Sequence, residues 1–344
     1  MRQLQYQSPS VLEWIEVPRP KLEKLGDALV KPLIVSRCEL DRFIALGTLG
    51  WSGGFGFGHE IYGEVVEVDD HVQNVTPGDR VLVPFQLSCG QCGMCRKGYT
   101  ALCETFPYRA SYGMAPLSGV DYGGGLSDLV RVPFADHMLV HAPSEVDPIT
   151  IAGVTDTVST AHALIAEPLA KLEKPRVLIV GGNTVALNSV RFAVGLGADK
   201  VVLVDSDEES LQIAKRLGAI AVKSRYDDLD NLKSLGKFQM TVDATGSEQG
   251  LALAIYKTDH EGLCQSTYGG FVERTPVPLQ HMYGTHIILK ISRVHARHNM
   301  PKALDLIKNG CVHAEAIVSH EVPFSQAGSA VLEHAHGMVF IADD

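Results

Sequence analysis

The sequence predicts an α/β protein with two domains, a β-rich domain followed by a domain built on a parallel sheet. The chain has 344 residues, whereas a single hydrophobic core stops growing at about 250–300 residues. As far as residue 145, short apolar runs are broken by Gly and Pro, which is typical of strands and tight turns. From residue 175 onward, strand-like and helix-like runs alternate, which is typical of parallel βαβ units.

Apolar periodicity and turn residues predict the individual elements. The strands expected in the first part are Ala28–Val35, Ile61–Val68 and Arg80–Pro84, the last after the turn residues Thr76–Asp79. The elements expected in the second part are the strands Val177–Val180 and Lys200–Val204 and the helices Val185–Leu196 and Glu208–Leu217, the last stopped by Gly218. A final helix is expected over Pro301–Lys308, ending at Gly310.

The composition suits an enzyme that acts on small molecules. Hydrophobic residues make up 45% of the chain, the formal net charge is −10, and there is no block of five or more like charges. The sequence therefore lacks the basic surface that nucleic acids or anionic membranes require. It also lacks a signal-peptide pattern and a run of about 18 apolar residues. We expect a cytoplasmic protein with no nucleic-acid or membrane partner.

Four cysteines lie close together in the run S-C-G-Q-C-G-M-C-R-K-G-Y-T-A-L-C: Cys89, Cys92, Cys95 and Cys103. Structural zinc is commonly held by four thiolates in a tetrahedron, and two-residue gaps let consecutive sulfur atoms turn inward from one tight loop. A disulfide pair or chance clustering is the alternative, but a cytosolic chain keeps its thiols reduced. The run predicts a closed structural zinc site.

A second candidate metal site involves Cys38 and His59. Cys38 follows a strand-like run, and His59 follows a glycine-rich stretch that begins at Gly53. One thiolate and one imidazole are compatible with a catalytic zinc, which has three protein ligands and an open fourth position. A lone cysteine and a lone loop histidine are more often structural, so spacing alone does not establish a metal site here.

A glycine-rich turn lies where the first strand of the second part meets its helix: Gly181, Gly182, Asn183, Thr184, Val185 and Ala186. Free backbone N–H groups and the helix dipole at such a turn favour a pyrophosphate. Counted on the pattern G-x-G-x-x-G/A, Asn183 replaces the second glycine. Asparagine tolerates positive φ better than most residues, but its side chain crowds the approach to phosphate.

Asp205 strengthens the prediction of a dinucleotide site. It lies 24 residues beyond Gly181, at the end of a predicted strand. A carboxylate there accepts hydrogen bonds from the adenosine ribose of NAD and repels the 2′-phosphate of NADP. Neither Ser206 nor Asp207 supplies a compensating Arg. NAD(H) is the expected cofactor, and a nucleotide-free α/β domain with an acidic loop is the alternative.

Together these motifs resemble the zinc-dependent medium-chain dehydrogenase/reductase superfamily, specifically its alcohol dehydrogenase-like group. The matching segments are Cys38 with Asp41, Gly58–Glu60 with Gly63, Val75–Val81, the four cysteines, Gly181–Ala186 and Val242–Gly246. The resemblance implies a GroES-like catalytic domain over 1–147 that carries both zinc sites, a Rossmann domain over 148–285, and a return to the catalytic domain over 286–344.

The resemblance also implies roles for individual residues. Cys38 and His59 become ligands of the catalytic zinc, Glu60 becomes a carboxylate beside the metal, and Thr245 joins the turn residues and Asp205 in binding NAD. In relatives the third ligand lies a little over twenty residues before the first nucleotide-binding strand. Asp156 is 21 residues before Val177 and matches the formaldehyde-dehydrogenase-like branch, whereas Glu167 is only ten residues away. Distance favours Asp156.

Two positions depart from the family pattern. Relatives commonly have a Ser or Thr relay hydroxyl where this chain has Leu40, and often a His where it has Phe43. Leucine cannot pass a proton, so the usual relay lacks its first step. The predicted function is a zinc-dependent oxidoreductase that transfers hydride between an alcohol, aldehyde or ketone and NAD, in a homodimer or homotetramer. The alternatives are a reductase of an activated C=C or C=N bond, and a non-catalytic paralogue that binds NAD and zinc.

Overall fold

The chain forms two compact units in the computed structural model, which describes residues 1–267, 272–313 and 317–343. Unit 1 comprises Met1–Ser159, Val294–Lys308 and Val318–Asp344, and unit 2 comprises Thr160–Arg293 and Asn309–Ile317. The units therefore change at 159/160 and 293/294. The domain limits 147/148 and 285/286 stay predictions.

Unit 1 begins with short strands joined by long loops. Its N-terminal strands are β1 (Arg2–Ser8), β2 (Val11–Glu16), β3 (Ala28–Ser36), β4 (Phe55–Gly56), β5 (Glu60–Val68), β6 (Arg80–Val83), β7 (Val130–Val132) and β8 (Val140–His141). The helices in this part of the chain are α1 (Glu39–Ala45), α2 (Gly93–Arg96), α3 (Ala135–Met138) and α4 (Pro148–Ile151), followed by α5 (Thr157–Leu169). Alternate residues of β3 and β5 are buried against apolar residues from the loops, such as Tyr112.

Unit 2 contains a parallel sheet with helices between its strands. The strands are β9 (Arg176–Val180), β10 (Lys200–Asp205), β11 (Ile220–Lys223), β12 (Phe238–Asp243), β13 (Thr258–Ser266) and β14 (Ile288–Ile291). The helices are α6 (Thr184–Gly195), α7 (Glu208–Arg216), α8 (Glu248–Lys257) and α9 (Leu279–Thr285). Within the described residues the strand order is β11-β10-β9-β12-β13-β14, and all pairs are parallel. The strand order reverses between β9 and β12, where doubly wound sheets bind ligands.

The C-terminal segments complete the sheet of unit 1. They are α10 (Ala296–Lys308), β15 (His320–Pro323), α11 (Ala327–Ala330) and β16 (Met338–Ile341). Among the described residues this sheet has the order β15-β16-β3-β5-β6-β8, with β7 paired to β3. The register of β16 on β3 is antiparallel, with Val339 opposite Ser36. The end of the chain thus borders the strand that leads to Cys38.

The α/β fold class predicted from the sequence is confirmed, and the predicted strands agree with β3, β5, β6, β9 and β10 to within a residue at each end. The prediction that the last helix begins at Pro301 is wrong, because α10 begins at Ala296 and contains Pro301 in its interior. Proline is favoured in the first helical turn, but here the helix tolerates it further in, at the loss of one backbone donor.

One further property concerns membranes. Within residues 1–267, 272–313 and 317–343, no single helix is long and apolar enough to cross a bilayer. The segments Pro148–Thr155 and Thr157–Leu169 meet the length and composition test only when taken together, and they are bent by 75°.

Candidate metal centres and cofactor site

Unit 1 brings Cys38, His59 and Asp156 together. One donor atom from each lies within 4.8 Å of the other two, and His59 Nε2 is 3.3 Å from Asp156 Oδ2. The antiparallel pairing of β3 with β5, with Ser36 opposite Glu60, explains how the first two residues meet. Cys38 follows the end of one strand and His59 precedes the start of the other, so both lie at the same end of the strand pair.

Asp41 supports two of these three residues. One of its oxygen atoms lies 2.9 Å from His59 Nδ1, although the contact is not aligned as a regular hydrogen bond, and the other accepts the backbone N–H of Cys38 at 3.1 Å. Its side chain is 2% exposed. Burial alone would lower the pKa of His59, but the Asp41 charge and the contacts with Asp156 raise that pKa well above its usual value. Carboxylates placed behind a metal-ligating histidine fix the orientation of its ring.

The donor set fits a zinc ion. Burial raises the pKa of the Cys38 thiol far above its usual range, despite opposing contacts with His59. A thiolate at such a position therefore needs a cation beside it. Sulfur, imidazole nitrogen and carboxylate oxygen are the ligand types that zinc takes in catalytic sites. Glu167, the alternative third ligand, has an exposed side chain that pairs with Lys171 at 2.9 Å.

Glu60 lies beside this group. Its side chain is fully buried, and Oε1 accepts the backbone N–H of Thr157 at 3.0 Å. Burial and the nearby Asp156 raise the pKa of Glu60 to about 8, while a hydrogen bond from Ser36 opposes this shift. Oε2 has no hydrogen-bond partner within the described part of the chain. Oε2 is therefore a buried acceptor close to the candidate metal ligands.

The four cysteines of the predicted structural site also come together. One sulfur from each of Cys89, Cys92, Cys95 and Cys103 lies within 4.8 Å of the other three, and all seven cysteines are free. The backbone N–H of Cys92 donates to Cys89 Sγ at 3.3 Å, and that of Cys95 donates to Cys92 Sγ at 3.4 Å. The tight turns of the loop therefore direct N–H groups at the sulfur atoms.

These contacts affect the thiols unequally. Burial alone would raise the pKa of Cys89, but hydrogen bonds from Thr105 and from the backbone of Gln91 lower that pKa to about 6. Burial raises the pKa of Cys95 and of Cys103. A cluster of four thiols, one of them readily ionised, suits a cation that takes thiolate ligands.

The glycine-rich turn of unit 2 connects β9 to α6. Gly181 has φ +111°, and a Cβ at Gly182 would lie 2.3 Å from Ser210 Oγ, so both positions require glycine. Asn183 has φ −71°, so the expectation that asparagine stands here because it tolerates a positive φ is wrong. It is the N-cap of α6, because its Oδ1 accepts the backbone N–H of Ala186 at 2.9 Å. Its Nδ2 donates to the carbonyl of Ala244 at 2.5 Å.

The remaining cofactor candidates lie at the same edge of the sheet. Thr184 and Val185 form the first turn of α6, and a Cβ at Gly181 would lie 3.3 Å from the backbone nitrogen of Thr245. Thr245 Oγ1 donates to Asp243 at 2.7 Å. Asp205 ends β10 and is 6% exposed.

Comparison with known proteins agrees with this geometry. The family model of the alcohol dehydrogenase GroES-like domain matches residues 24–144, and that of the zinc-binding dehydrogenases matches residues 184–309. Together the two models match well over half of the chain. The chain belongs to the zinc-dependent alcohol dehydrogenase family of medium-chain dehydrogenases/reductases.

Three relatives illustrate the similarity. A zinc-type alcohol dehydrogenase-like protein of Bacillus subtilis strain 168 is 26% identical, over 95% of this chain and 94% of its own. A glutathione-independent formaldehyde dehydrogenase of Pseudomonas aeruginosa is 29% identical, over 71% of this chain and 65% of its own. The solved alcohol dehydrogenase of Thermus sp. ATN1 is 26% identical, covers both chains completely and superposes with a TM-score of 0.89.

Membership of this alcohol dehydrogenase family makes the chain a zinc- and NAD-dependent oxidoreductase that acts on small alcohol or carbonyl substrates. Comparison with the family pattern also shows that two positions of this chain, Leu40 and Phe43, are unusual. Leu40, at the position of the usual relay hydroxyl, is half-buried, and its backbone N–H donates to Cys38 Sγ at 3.2 Å. Phe43 is exposed. Neither side chain offers a proton-transfer group.

Sequence reasoning missed two contacts at these sites. Ser36, at the last position of β3, lies opposite Glu60 and opposes the rise in the pKa of Glu60, and the hydroxyl of Tyr226, in the loop after β11, donates a hydrogen bond to Asp205. Both contacts depend on strand register, because Ser36 lies opposite Glu60 and Tyr226 follows β11, which pairs with β10 so that Lys223 is opposite Asp205. An isolated serine or tyrosine near the end of a strand belongs to no recognised sequence motif, so the sequence alone could not identify these two residues.

Proposed function

We propose that this protein catalyses reversible hydride transfer between an alcohol and the corresponding aldehyde or ketone, with Cys38, His59 and Asp156 as the ligands of the catalytic zinc. The observation that carries this proposal is the meeting of a thiol, an imidazole and a carboxylate within 4.8 Å. When bound, zinc supplies Lewis acidity toward the substrate oxygen, and NAD takes up or returns the hydride.

The residues around the ligands have supporting roles. Asp41 orients the His59 ring through one oxygen atom and fixes the backbone of Cys38 through the other. Glu60 is held by Thr157, with Oε2 available as an acceptor. Because Leu40 removes the usual relay hydroxyl, Glu60 is the group of this chain that is best placed to hold a proton near the ligands.

The four cysteines have a different role. Cys89, Cys92, Cys95 and Cys103 hold the structural zinc, and the metal fixes a loop that otherwise has only short helices. A cage of four thiols has no position for substrate. It also requires a reducing compartment, which supports the expectation of a cytoplasmic protein.

Unit 2 binds the cofactor. The N-terminus of α6 and the glycines of the preceding turn face the pyrophosphate, and Asp205 selects NAD over NADP by accepting hydrogen bonds from the adenosine ribose. The turn residues Gly181 to Ala186 and Thr245 contribute to the same site. Because Asn183 caps α6, the turn is kept although this position is not a glycine.

The substrate class is narrower than the family. The Asp156 ligand resembles that of the formaldehyde-dehydrogenase-like branch, and this resemblance favours small aldehydes, or the alcohols related to them, as substrates.

The protein forms a homodimer or homotetramer. This is supported by β14, which within the described residues is an edge strand of the parallel sheet and exposes Ile288 and Ile291, since an unpaired apolar edge strand is a template for pairing with another chain.

One observation favours a second candidate. The hydrocarbon side chain of Leu40, in place of the relay hydroxyl, suits a reductase of an activated C=C or C=N bond, for which no substrate hydroxyl loses a proton. Zinc analysis together with NAD-linked turnover on matched panels of alcohols, aldehydes and activated alkenes separates the two candidates. Turnover of alcohols alone supports hydride transfer at a carbinol carbon. Turnover of alkenes alone supports the second reaction, and a protein with zinc but no turnover on any panel contradicts both.

A further inference from the structure

The strand ends at the NAD-binding edge of unit 2 contain one contact that the family pattern does not explain. The hydroxyl of Tyr226 donates a hydrogen bond to Asp205 Oδ2 at 2.5 Å. The other carboxylate oxygen, Oδ1, accepts the backbone N–H of Asp207 at 2.7 Å. The Asp205 side chain is therefore held from both sides by groups of its own chain.

The register of the sheet explains how Tyr226 reaches this position. β11 lies beside β10 with Lys223 opposite Asp205, and the backbone N–H of Ser224 donates to the Asp205 carbonyl at 3.0 Å. The chain then turns, and the ring of Tyr226 packs against the apolar cluster that contains Val202 and Val204. The ring is half-buried, so its hydroxyl is presented to the carboxylate by packing as well as by the hydrogen bond.

We propose that Tyr226 is a positioning residue for cofactor selection, which holds the Asp205 carboxylate in the orientation that accepts hydrogen bonds from the NAD ribose. This inference rests on the proposed role of Asp205. An ionised carboxylate accepts about four hydrogen bonds, so the two contacts within the chain leave acceptor capacity for both ribose hydroxyls. A carboxylate fixed before binding loses no side-chain freedom when the cofactor arrives.

Two further features support the assignment. Burial and the hydrogen bond to Asp205 raise the pKa of Tyr226, so its hydroxyl remains a donor at neutral pH. The neighbouring Arg225 forms a bidentate pair with Asp227, at 3.0 and 2.8 Å. The Arg225 guanidinium is therefore held against a carboxylate, where it is less able to attract a 2′-phosphate. Both features favour NADH over NADPH.

The test is direct binding of the reduced cofactors to the zinc-loaded protein, measured by calorimetry or by cofactor fluorescence. Tyr226→Phe keeps the ring and removes only the hydroxyl. We expect it to weaken NADH binding about three- to tenfold, the range for one lost positioning hydrogen bond, and to leave NADPH binding nearly unchanged. Tyr283→Phe, at an exposed tyrosine of the same unit, is the matched control and should bind both cofactors as the wild type does.

A double-mutant cycle with Asp205→Ala tests whether Tyr226 acts through Asp205. If it does, Tyr226→Phe has no further effect on NADH binding once the carboxylate is gone. The proposal is overturned if Tyr226→Phe binds NADH as well as the wild type or better, if it weakens both cofactors equally, or if its effect persists in the Asp205→Ala background. If Asp205→Ala itself leaves the preference for NADH unchanged, the proposed role of Asp205 fails as well, and the two failures are distinguished by that single variant.

Discussion

Replacing Asp41 with asparagine should weaken the catalytic zinc without disturbing the structural one. The carboxylate of Asp41 contacts the His59 ring through one oxygen and the Cys38 backbone through the other. An amide of the same size has only one acceptor oxygen, so one of these two donors must lose its partner. The side chain is 2% exposed, and water cannot replace the lost contact without entering the buried site.

The magnitude follows from these contacts. Losing the hydrogen bond from Cys38 to the Asp41 carboxylate, or the close charged contact of that carboxylate with His59, costs about 1.5–3 kcal/mol, which corresponds to at least a tenfold loss in affinity. Substitution of a carboxylate behind a metal ligand typically weakens metal binding about 10- to 100-fold. We therefore expect the zinc held by Cys38, His59 and Asp156 to bind about 10- to 100-fold more weakly in Asp41→Asn.

The assay is equilibrium competition for zinc with a chromogenic chelator, with thermal unfolding of the loaded protein measured alongside. Asp79→Asn is the matched control, because Asp79 accepts two hydrogen bonds from Thr76 in a surface turn of the same unit. The control should keep both zinc affinities. The reasoning is refuted if Asp41→Asn retains the wild-type affinity for its exchangeable zinc while remaining folded.

Two other substitutions test the cofactor and proton-transfer assignments. Asp205→Ser should relax discrimination against NADP(H), because it removes both the acceptor for the ribose and the charge that repels a 2′-phosphate. The relative Kd values for NADH and NADPH measure this change. A wild type that already prefers NADPH would contradict the assignment of Asp205. Leu40→Ser should raise the rate of alcohol oxidation near neutral pH by a small part of the roughly 10²–10⁴-fold available to acid–base catalysis, since exposed Phe43 leaves the next relay position empty. Because Leu40 is only half-buried, its truncation should cost less than the about 2–5 kcal/mol of a buried site. Turnover per folded, zinc-loaded protein is compared with a solvent isotope effect, and an unchanged rate and isotope effect would mean that the proton leaves by another route.

Local motifs predicted the parts of the site that are close in sequence. The four cysteines lie on one tight loop, and the turn from Gly181 to Ala186 connects consecutive elements, so spacing was enough to predict both groupings. The choice of Asp156 over Glu167 needed the resemblance to known enzymes, because the distance to Val177 has meaning only within that family. The structure brings Asp156 to Cys38 and His59, and Glu167 pairs with Lys171 instead.

Contacts between strands could not be predicted in the same way. Tyr226 reaches Asp205, and Ser36 reaches Glu60, only because of the register of adjacent strands. The capping role of Asn183 could not be predicted either, since it depends on a backbone conformation with negative φ. The start of α10 was missed because proline is an ambiguous signal that a packed helix can override.

The central claim is that the chain holds two zinc ions in chemically different sites. It is tested most directly by counting zinc per chain, by native mass spectrometry, before and after mild chelation. We predict two ions before treatment and one afterwards, because the site of four thiolates is closed, whereas the site of Cys38, His59 and Asp156 keeps an exchangeable position. Loss of the chelatable ion in Asp156→Ala and of the resistant ion in Cys103→Ser would assign each ion to its site. A single tightly held ion in the wild type would contradict the catalytic zinc site.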